Sequence, residues 1–163
     1  MEMEYAGDAI SEQLRNTLAD VQLPALRWLA DYWLEKRGNR LWPARAELDV
    51  LEMRPVLGHI AILELHPRPG GGMPVFKYRM FGTSFVHWFG FDMTGKTLDD
   101  WPVPEYRDYL NRSYNEVVLA RRPFRRYRRL IQDGRQLNYE GVMLPLGRGD
   151  AIEQVMAGQY FLV

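Results

Sequence analysis

The segment from Val75 to Gly95, VFKYRMFGTSFVHWFGFDMTG, constrains the fold more tightly than any other part of the chain. It begins with the alternation of a half-buried strand, in which Lys77 and Arg79 face solvent. The positions predicted to share the opposite face are Phe76, Tyr78 and Met80. Gly82 ends this strand, and a short aromatic-rich helix follows as far as Gly90. Such an order of elements predicts a mixed domain of helices and strands.

The composition indicates a globular domain without cross-links. The chain has 163 residues, of which 47% are hydrophobic and 26% are charged. No apolar run reaches the length of about 18 residues needed for a membrane span, and the acidic N-terminus does not resemble a signal peptide, so we expect a cytoplasmic protein. The absence of cysteine excludes disulfides, thiolate zinc sites and a cysteine nucleophile.

Periodicity along the chain predicts three helices and five strands. Helices are predicted over residues 9–20, 25–37 and 104–122, and strands over residues 58–66, 75–81, 124–132, 135–146 and 151–163. We expect residues 1–57 to form a helical extension with a connector, and residues 58–163 to form the main domain.

The helix predicted over residues 25–37 carries an apolar stripe. Because a surface patch of this size is seldom left exposed, it must be covered either by the sheet of the same chain or by a second subunit. Both alternatives are open from the sequence. The residues predicted to form the interface of a homodimer are Leu26, Leu29, Trp33 and Leu34.

The element order and several local motifs resemble the PAS fold. In a bacterial family of small stand-alone PAS-like proteins, a helix containing tryptophan precedes a Pro-Ala/Ser-Arg connector, a Tyr-Arg-x-x-Gly-Thr strand end and a Gly-x-x-x-Thr-Gly turn. The corresponding elements here are Trp28 or Trp33, Pro43-Ala44-Arg45, Tyr78-Arg79-Met80-Phe81-Gly82-Thr83 and Gly90-Phe91-Asp92-Met93-Thr94-Gly95. The resemblance covers residues 25 to 163 and implies an α+β domain with a five-stranded antiparallel sheet, helices over one face and an N-terminal helical extension.

The resemblance also implies a ligand cavity between the sheet and its helices. The candidate lining residues are Tyr78, Met80, Phe85, Trp88, Tyr106, Leu110, Tyr114, Tyr139, Met143 and Gln159. Aromatic side chains with polar tips suit an apolar pocket with a few directed hydrogen bonds. The alternative is that these residues fill an ordinary core.

A sensory or protein-interaction module of bacterial signalling, with no catalytic output of its own, is the function that the resemblance implies. It would form a homodimer through the N-terminal helix, act on an unidentified signalling protein and in some cases bind a small molecule. Haem is disfavoured, because the long helix over residues 104–122 lacks the histidine that usually ligates it in haem-binding PAS domains. A flavin adduct with cysteine is excluded, and His59, His66 and His87 lack the close spacing of a metal site. The cofactor is otherwise unknown.

Two other functions are open from the sequence. A small cone-shaped α+β enzyme could use His87 and a carboxylate as an acid/base pair, although no hydrolase, zinc-protease or phosphate-loop motif occurs.

Residues 121–129, RRPFRRYRR, contain six arginines and no acid. This run could bind an anionic ligand or nucleic acid, and the candidate residues are Arg121, Arg125, Arg126 and Arg128. The net charge of zero instead favours pairing of these arginines with acids, so we do not expect nucleic acid as a partner. The candidate acids are Glu64, Glu140, Glu153 and those of the N-terminus.

Overall fold

Five antiparallel strands form one sheet, with one helix on the first face and two helices on the second. The computed structural model describes residues 18–132 and 134–162. The strands are β1 (Ile60–His66), β2 (Val75–Phe81), β3 (Phe124–Gln132), β4 (Arg135–Arg148) and β5 (Ala151–Leu162). The helices are α1 (Pro24–Arg37), α2 (Thr83–Phe89) and α3 (Pro104–Ala120), and 3₁₀ turns occupy Arg45–Glu47, Arg54–His59 and Leu98–Asp100.

The strand order is β2-β1-β5-β4-β3, so the first and last strands are neighbours and β2 and β3 form the edges. The predicted five-stranded antiparallel sheet is confirmed. The first strand begins two residues later than predicted, because the segment that contains Pro55 forms a 3₁₀ turn. The helix predicted over residues 9–20 lies almost entirely outside the described residues.

The sheet separates the buried side chains into two clusters, because successive residues of a strand point to opposite faces. We call the cluster between the sheet and α1 the α1 core. It contains Leu26, Leu29 and Trp33 of the helix, together with strand residues such as Ile62 and Leu144. We call the cluster beneath α2 and α3 the α3 core, and aromatic residues dominate it.

The chain's own sheet covers the apolar stripe of α1. Leu26, Leu29 and Trp33 are fully buried, and the indole nitrogen of Trp33 donates a hydrogen bond to the carbonyl oxygen of Pro145 over 2.9 Å. Gly158 permits this contact, since a Cβ there would lie 2.5 Å from Leu29 Cδ2.

The predicted interface through Leu26, Leu29 and Trp33 is therefore corrected, because these side chains are already covered within one chain. Leu34 packs half-buried against the same core. A homodimer through α1 stays a prediction, and in this packing it would use the outward side of the helix.

A β-bulge in β2 changes the face to which Met80 points. Leu63 lies opposite Tyr78 and Ile62 lies opposite Met80, so Arg79 is an extra residue between the two pairs. A bulge of this kind shifts the alternation by one position. Tyr78 therefore belongs to the α3 core while Met80 packs against the α1 core, and the prediction that they share a face is wrong.

The carboxylate of Glu140 on β4 attaches the segment before α1 to the sheet. Its side chain is 1% exposed. It accepts hydrogen bonds from the backbone N–H groups of Gln22 (3.0 Å) and Leu23 (2.8 Å), and from Nε (2.9 Å) and Nη2 (2.7 Å) of Arg125 on β3. Burial raises the pKa of Glu140, but the hydrogen bonds from Leu23, Gln22 and Arg125 outweigh burial and hold the pKa below its ordinary value.

We expect Glu140→Gln to lower the free energy of unfolding by about 3 kcal/mol, because it leaves Arg125 without its charge partner and weakens several buried hydrogen bonds. Urea denaturation at pH 7, followed by tryptophan fluorescence, measures this change. Glu153→Gln is the matched control, since Glu153 pairs with Arg148 on the surface and its loss should change stability little.

The stability of the wild-type protein and that of Glu140→Gln should depend differently on pH. Because the pKa of Glu140 is lowered on folding, its stabilisation is complete above the ordinary value of 4.5 and is lost as the pH falls through the folded value. The wild-type protein should therefore lose more stability between pH 6 and about pH 3 than Glu140→Gln does. If the free energy of unfolding fell equally with pH in the wild type and in Glu140→Gln, the ionised carboxylate of Glu140 would not stabilise the fold.

Candidate ligand-binding site

A layer of aromatic rings fills the space between the sheet and the helices α2 and α3. The ring centroid of Trp101 lies 4.8 Å from that of Tyr106 and 4.9 Å from that of Phe89, in edge-to-face geometry. Phe81 and Phe85 continue the layer, with centroids 5.3 Å apart. Such contacts stabilise aromatic pairs beyond the area that they bury and fix the orientation of each ring.

Among the described residues, this layer contains two small voids, each with a volume of about 20 Å³. We call them the aromatic void, whose walls include Tyr78, Phe81, Phe85, Phe89, Trp101 and Tyr106, and the polar void, whose walls include Tyr109, Ser113, Arg126 and Tyr139. Leu110, Tyr114, Ala157 and Gln159 line both voids and separate them. Each void has room for about one water molecule.

The structure brings most of the predicted lining residues together. Those that line one or both voids are Tyr78, Phe85, Tyr106, Leu110, Tyr114, Tyr139, Met143 and Gln159. Trp88 lies at the margin, where its ring packs 4.7 Å from that of Phe161, and Met80 is on the other face of the sheet. That these residues bind a ligand stays a prediction.

Sequence reasoning missed Trp101 and Arg126 as walls of this region. Trp101 follows a 3₁₀ turn without a periodic pattern, and its burial depends on contacts with distant rings. Ser113 lies one helical turn from Leu110 on α3, and Tyr109 lies one turn from Tyr106. The helical period could therefore have placed both at the site.

The tyrosines of the α3 core are held in their neutral form. Burial raises the pKa of Tyr78, Tyr106, Tyr114 and Tyr139. The indole nitrogen of Trp101 donates to the hydroxyl of Tyr78 over 3.1 Å, and the hydroxyl of Tyr139 donates to that of Tyr109 over 3.1 Å. The site therefore presents phenol groups as neutral hydrogen-bonding partners.

The arginine run does not form one anion site. Arg125 pairs with Glu140 on the face of α1, whereas Arg126 pairs with Glu116 of α3 over 2.7 Å on the other face. Arg121 donates to the backbone oxygen of Asp150 over 2.8 Å.

The predicted pairing of the run with Glu140 is confirmed. Glu64 and Glu153 instead pair with Arg79 and Arg148, which lie outside the run, so the prediction is wrong for these two acids. Strand alternation explains the result, because it sends successive arginines of β3 to opposite faces.

His87 is exposed on α2, and no carboxylate forms a hydrogen bond with it in the described part of the chain. His59 stacks on Tyr160 with ring centroids 3.8 Å apart, while His66 lies 3.2 Å from Glu64. Within residues 18–132 and 134–162, no three potential metal ligands cluster. The structure thus does not assemble the acid/base pair of the enzyme alternative in the region that it describes.

The helices of the described residues are all too short or too polar to cross a membrane.

Comparison with known proteins gives a family match over most of the chain. A family model described as "PAS domain" matches residues 21–160. The PAS domain of BvgS from Bordetella pertussis is 20% identical, with 71% of this chain and 87% of that chain covered and a TM-score of 0.43. A variant of RsLOV is 10% identical over 71% of this chain and 70% of that chain, also with a TM-score of 0.43. No curated protein matches the chain.

We expect Tyr78→Phe to lower the free energy of unfolding by about 1–3 kcal/mol, because it leaves the buried indole N–H of Trp101 without an acceptor. Chemical denaturation measures the loss. Tyr127→Phe removes the same hydroxyl from a side chain that is 52% exposed and should be nearly neutral. Equal stability of Tyr78→Phe and the wild type would show that this hydrogen bond contributes nothing.

Proposed function

This chain belongs to the PAS domain family, and we propose that it is a sensory module that binds a small molecule beneath α2 and α3 and has no catalytic output of its own. The observation that carries the proposal is the pair of adjacent voids inside a layer of aromatic rings and neutral phenols. A mostly apolar cavity with a few convergent polar groups is the usual form of a small-molecule site.

Binding would select a more open state than the one described here. Ligand cavities usually measure about 300–1,000 Å³, far more than the two voids together. The element best suited to move is α2, because it has only seven residues and ends at Gly90, which has a positive φ of 82°. Trp88 and Phe89 of α2 are half-buried, whereas Phe85 is buried and lines the aromatic void, so an outward shift of α2 would open this void.

The signal would leave the site through β4. Tyr139 lines the polar void, and the next residue, Glu140, points to the other face and holds the N–H groups of Gln22 and Leu23. A ligand that displaces Tyr139 would therefore change how the segment before α1 is held. This is a shift between two populations, driven by the ligand's preference for one of them.

The receiver of this signal would be a second copy of the chain or a separate signalling protein. The outward side of α1 is the surface best placed to contact it. Trp28 is 39% exposed there and stacks on Tyr32, with ring centroids 5.1 Å apart. Exposed tryptophan is enriched at protein interfaces, which supports this choice.

Native mass spectrometry of freshly purified protein tests the proposal. We expect an additional mass under gentle conditions that disappears on denaturation. Ala157→Val should abolish it, because two extra methyl groups on the wall between the voids fill both of them. Ala151→Val is the matched control, since Ala151 is an exposed residue of the same strand.

The outcome against the proposal is an unliganded mass for the wild type together with no thermal shift in a screen of metabolites and lipids. Hydrogen exchange tests the output separately. Ligand binding should change the protection of residues 18–37, and an effect confined to α2 and α3 would contradict transmission through β4.

A further inference from the structure

We propose that the ligand is a small aromatic carboxylate, with its ring in the aromatic void and its carboxylate bound by Arg126 at the polar void. This inference rests on the proposed function and specifies the chemical class of its ligand. It follows from the chemistry of the two voids, the hydrogen bonds of Arg126 and the charges around it.

The two voids differ in chemistry and share a wall. Rings such as Phe81, Phe85 and Trp101 surround the aromatic void, whereas Ser113 and Arg126 give the polar void a hydroxyl and a cation. A ligand that displaces the shared side chains would reach both voids. Its apolar end would then be a flat ring, which suits aromatic walls, and its polar end would be an acceptor of hydrogen bonds.

Arg126, in the wall of the polar void, has a hydrogen-bond donor without a partner among the described residues. Its Nη2 donates to Glu116 over 2.7 Å, but its Nε is buried and has no hydrogen-bond partner among the described residues. The guanidinium also lies 4.9 Å from the ring centroid of Phe124, and this contact holds it in place. A buried donor without a partner costs free energy, which a ligand oxygen would recover. Guanidinium groups bind the oxygens of carboxylates with especially favourable geometry.

The charge around the polar void also favours an anion. Arg128 projects from β3 on the same face as Arg126, and its guanidinium lies 3.4 Å from the ring centroid of Tyr109, which is itself a wall of the void. In the described part of the chain, no carboxylate lies within 4.0 Å of Arg128. Among the described residues, Glu116, with a side chain that is 52% exposed, pairs with Arg126 but not with Arg128. A ligand carboxylate would add negative charge next to these two cations.

Titration of the protein with phenylacetate and with its neutral isostere phenylacetamide, by calorimetry or ligand-observed NMR, tests the proposal. We expect the wild type to bind phenylacetate at least tenfold more tightly than the amide, since hydrogen bonds to charged groups are the stronger ones. Arg126→Met should remove this preference. Arg148→Met should keep it, because Arg148 pairs with Glu153 on the surface away from both voids.

Glu116→Gln provides a second test that leaves Arg126 in place. Removing this carboxylate frees the guanidinium from a competing anion, so phenylacetate should bind several-fold more tightly while the affinity for phenylacetamide stays constant. A role of Arg126 in structure alone predicts no such gain.

The outcomes separate this inference from the proposed function. Equal affinity of the wild type for acid and amide, or a preference that survives in folded Arg126→Met, would overturn the carboxylate site and leave the pocket. Binding of neither probe, with a co-purified mass still present in the native spectrum, would overturn this ligand class alone. If neither probe binds and the native spectrum shows no co-purified mass, both the proposed pocket and the carboxylate site would be overturned.

Discussion

The buried carboxylate of Glu140 is the interaction on which the arrangement of the extension and the sheet depends. Removing a charge from water costs free energy unless opposite charge and hydrogen bonds replace the lost solvent. Glu140 obtains these from Arg125 on a neighbouring strand and from the backbone before α1. Docking of the extension and pairing of β3 with β4 therefore support each other. A single residue of β4 thus links the N-terminal segment to a strand that lies about a hundred residues later in the chain.

The same strand gives the two faces of the sheet their separate roles. One face carries Glu140 and the packing of α1, while the other carries Tyr139 and the aromatic layer. The voids in that layer are small, and the phenols around them are neutral, so the layer stabilises the domain as described. In the function proposed above, it would become a binding site when the side chains between the voids move. The stability of the fold and the selectivity of the proposed site thus depend on the same aromatic residues.

Much of this architecture follows from local sequence patterns, and the exceptions have identifiable causes. Strand alternation and helical periodicity predicted the five strands, α1 and α3 within two residues at each end, and the resemblance to the PAS fold implied the antiparallel sheet. The bulge at Arg79 depends on pairing with β1, so no local pattern placed Met80 on the correct face. The apolar stripe of α1 packs against the sheet because Gly158 leaves room for Leu29, and Gly158 lies too far along the chain for a local pattern to show this contact. For the site, the resemblance to the PAS fold predicted Tyr106, Leu110 and Tyr114 as candidate lining residues, whereas Arg126 was predicted only as part of an arginine run.

The arginines of β3 have a further consequence for the behaviour of the protein at high concentration. The net charge is zero, so repulsion between whole molecules gives no protection against association. The edge of the sheet at β2 is partly covered, because Tyr78 exchanges backbone hydrogen bonds with the segment at Gly95 and Lys96. The opposite edge, β3, is the strand that other chains could extend. Charged side chains on an edge strand disfavour edge-to-edge pairing, and on β3 the guanidinium of Arg128 has no carboxylate within 4.0 Å among the described residues.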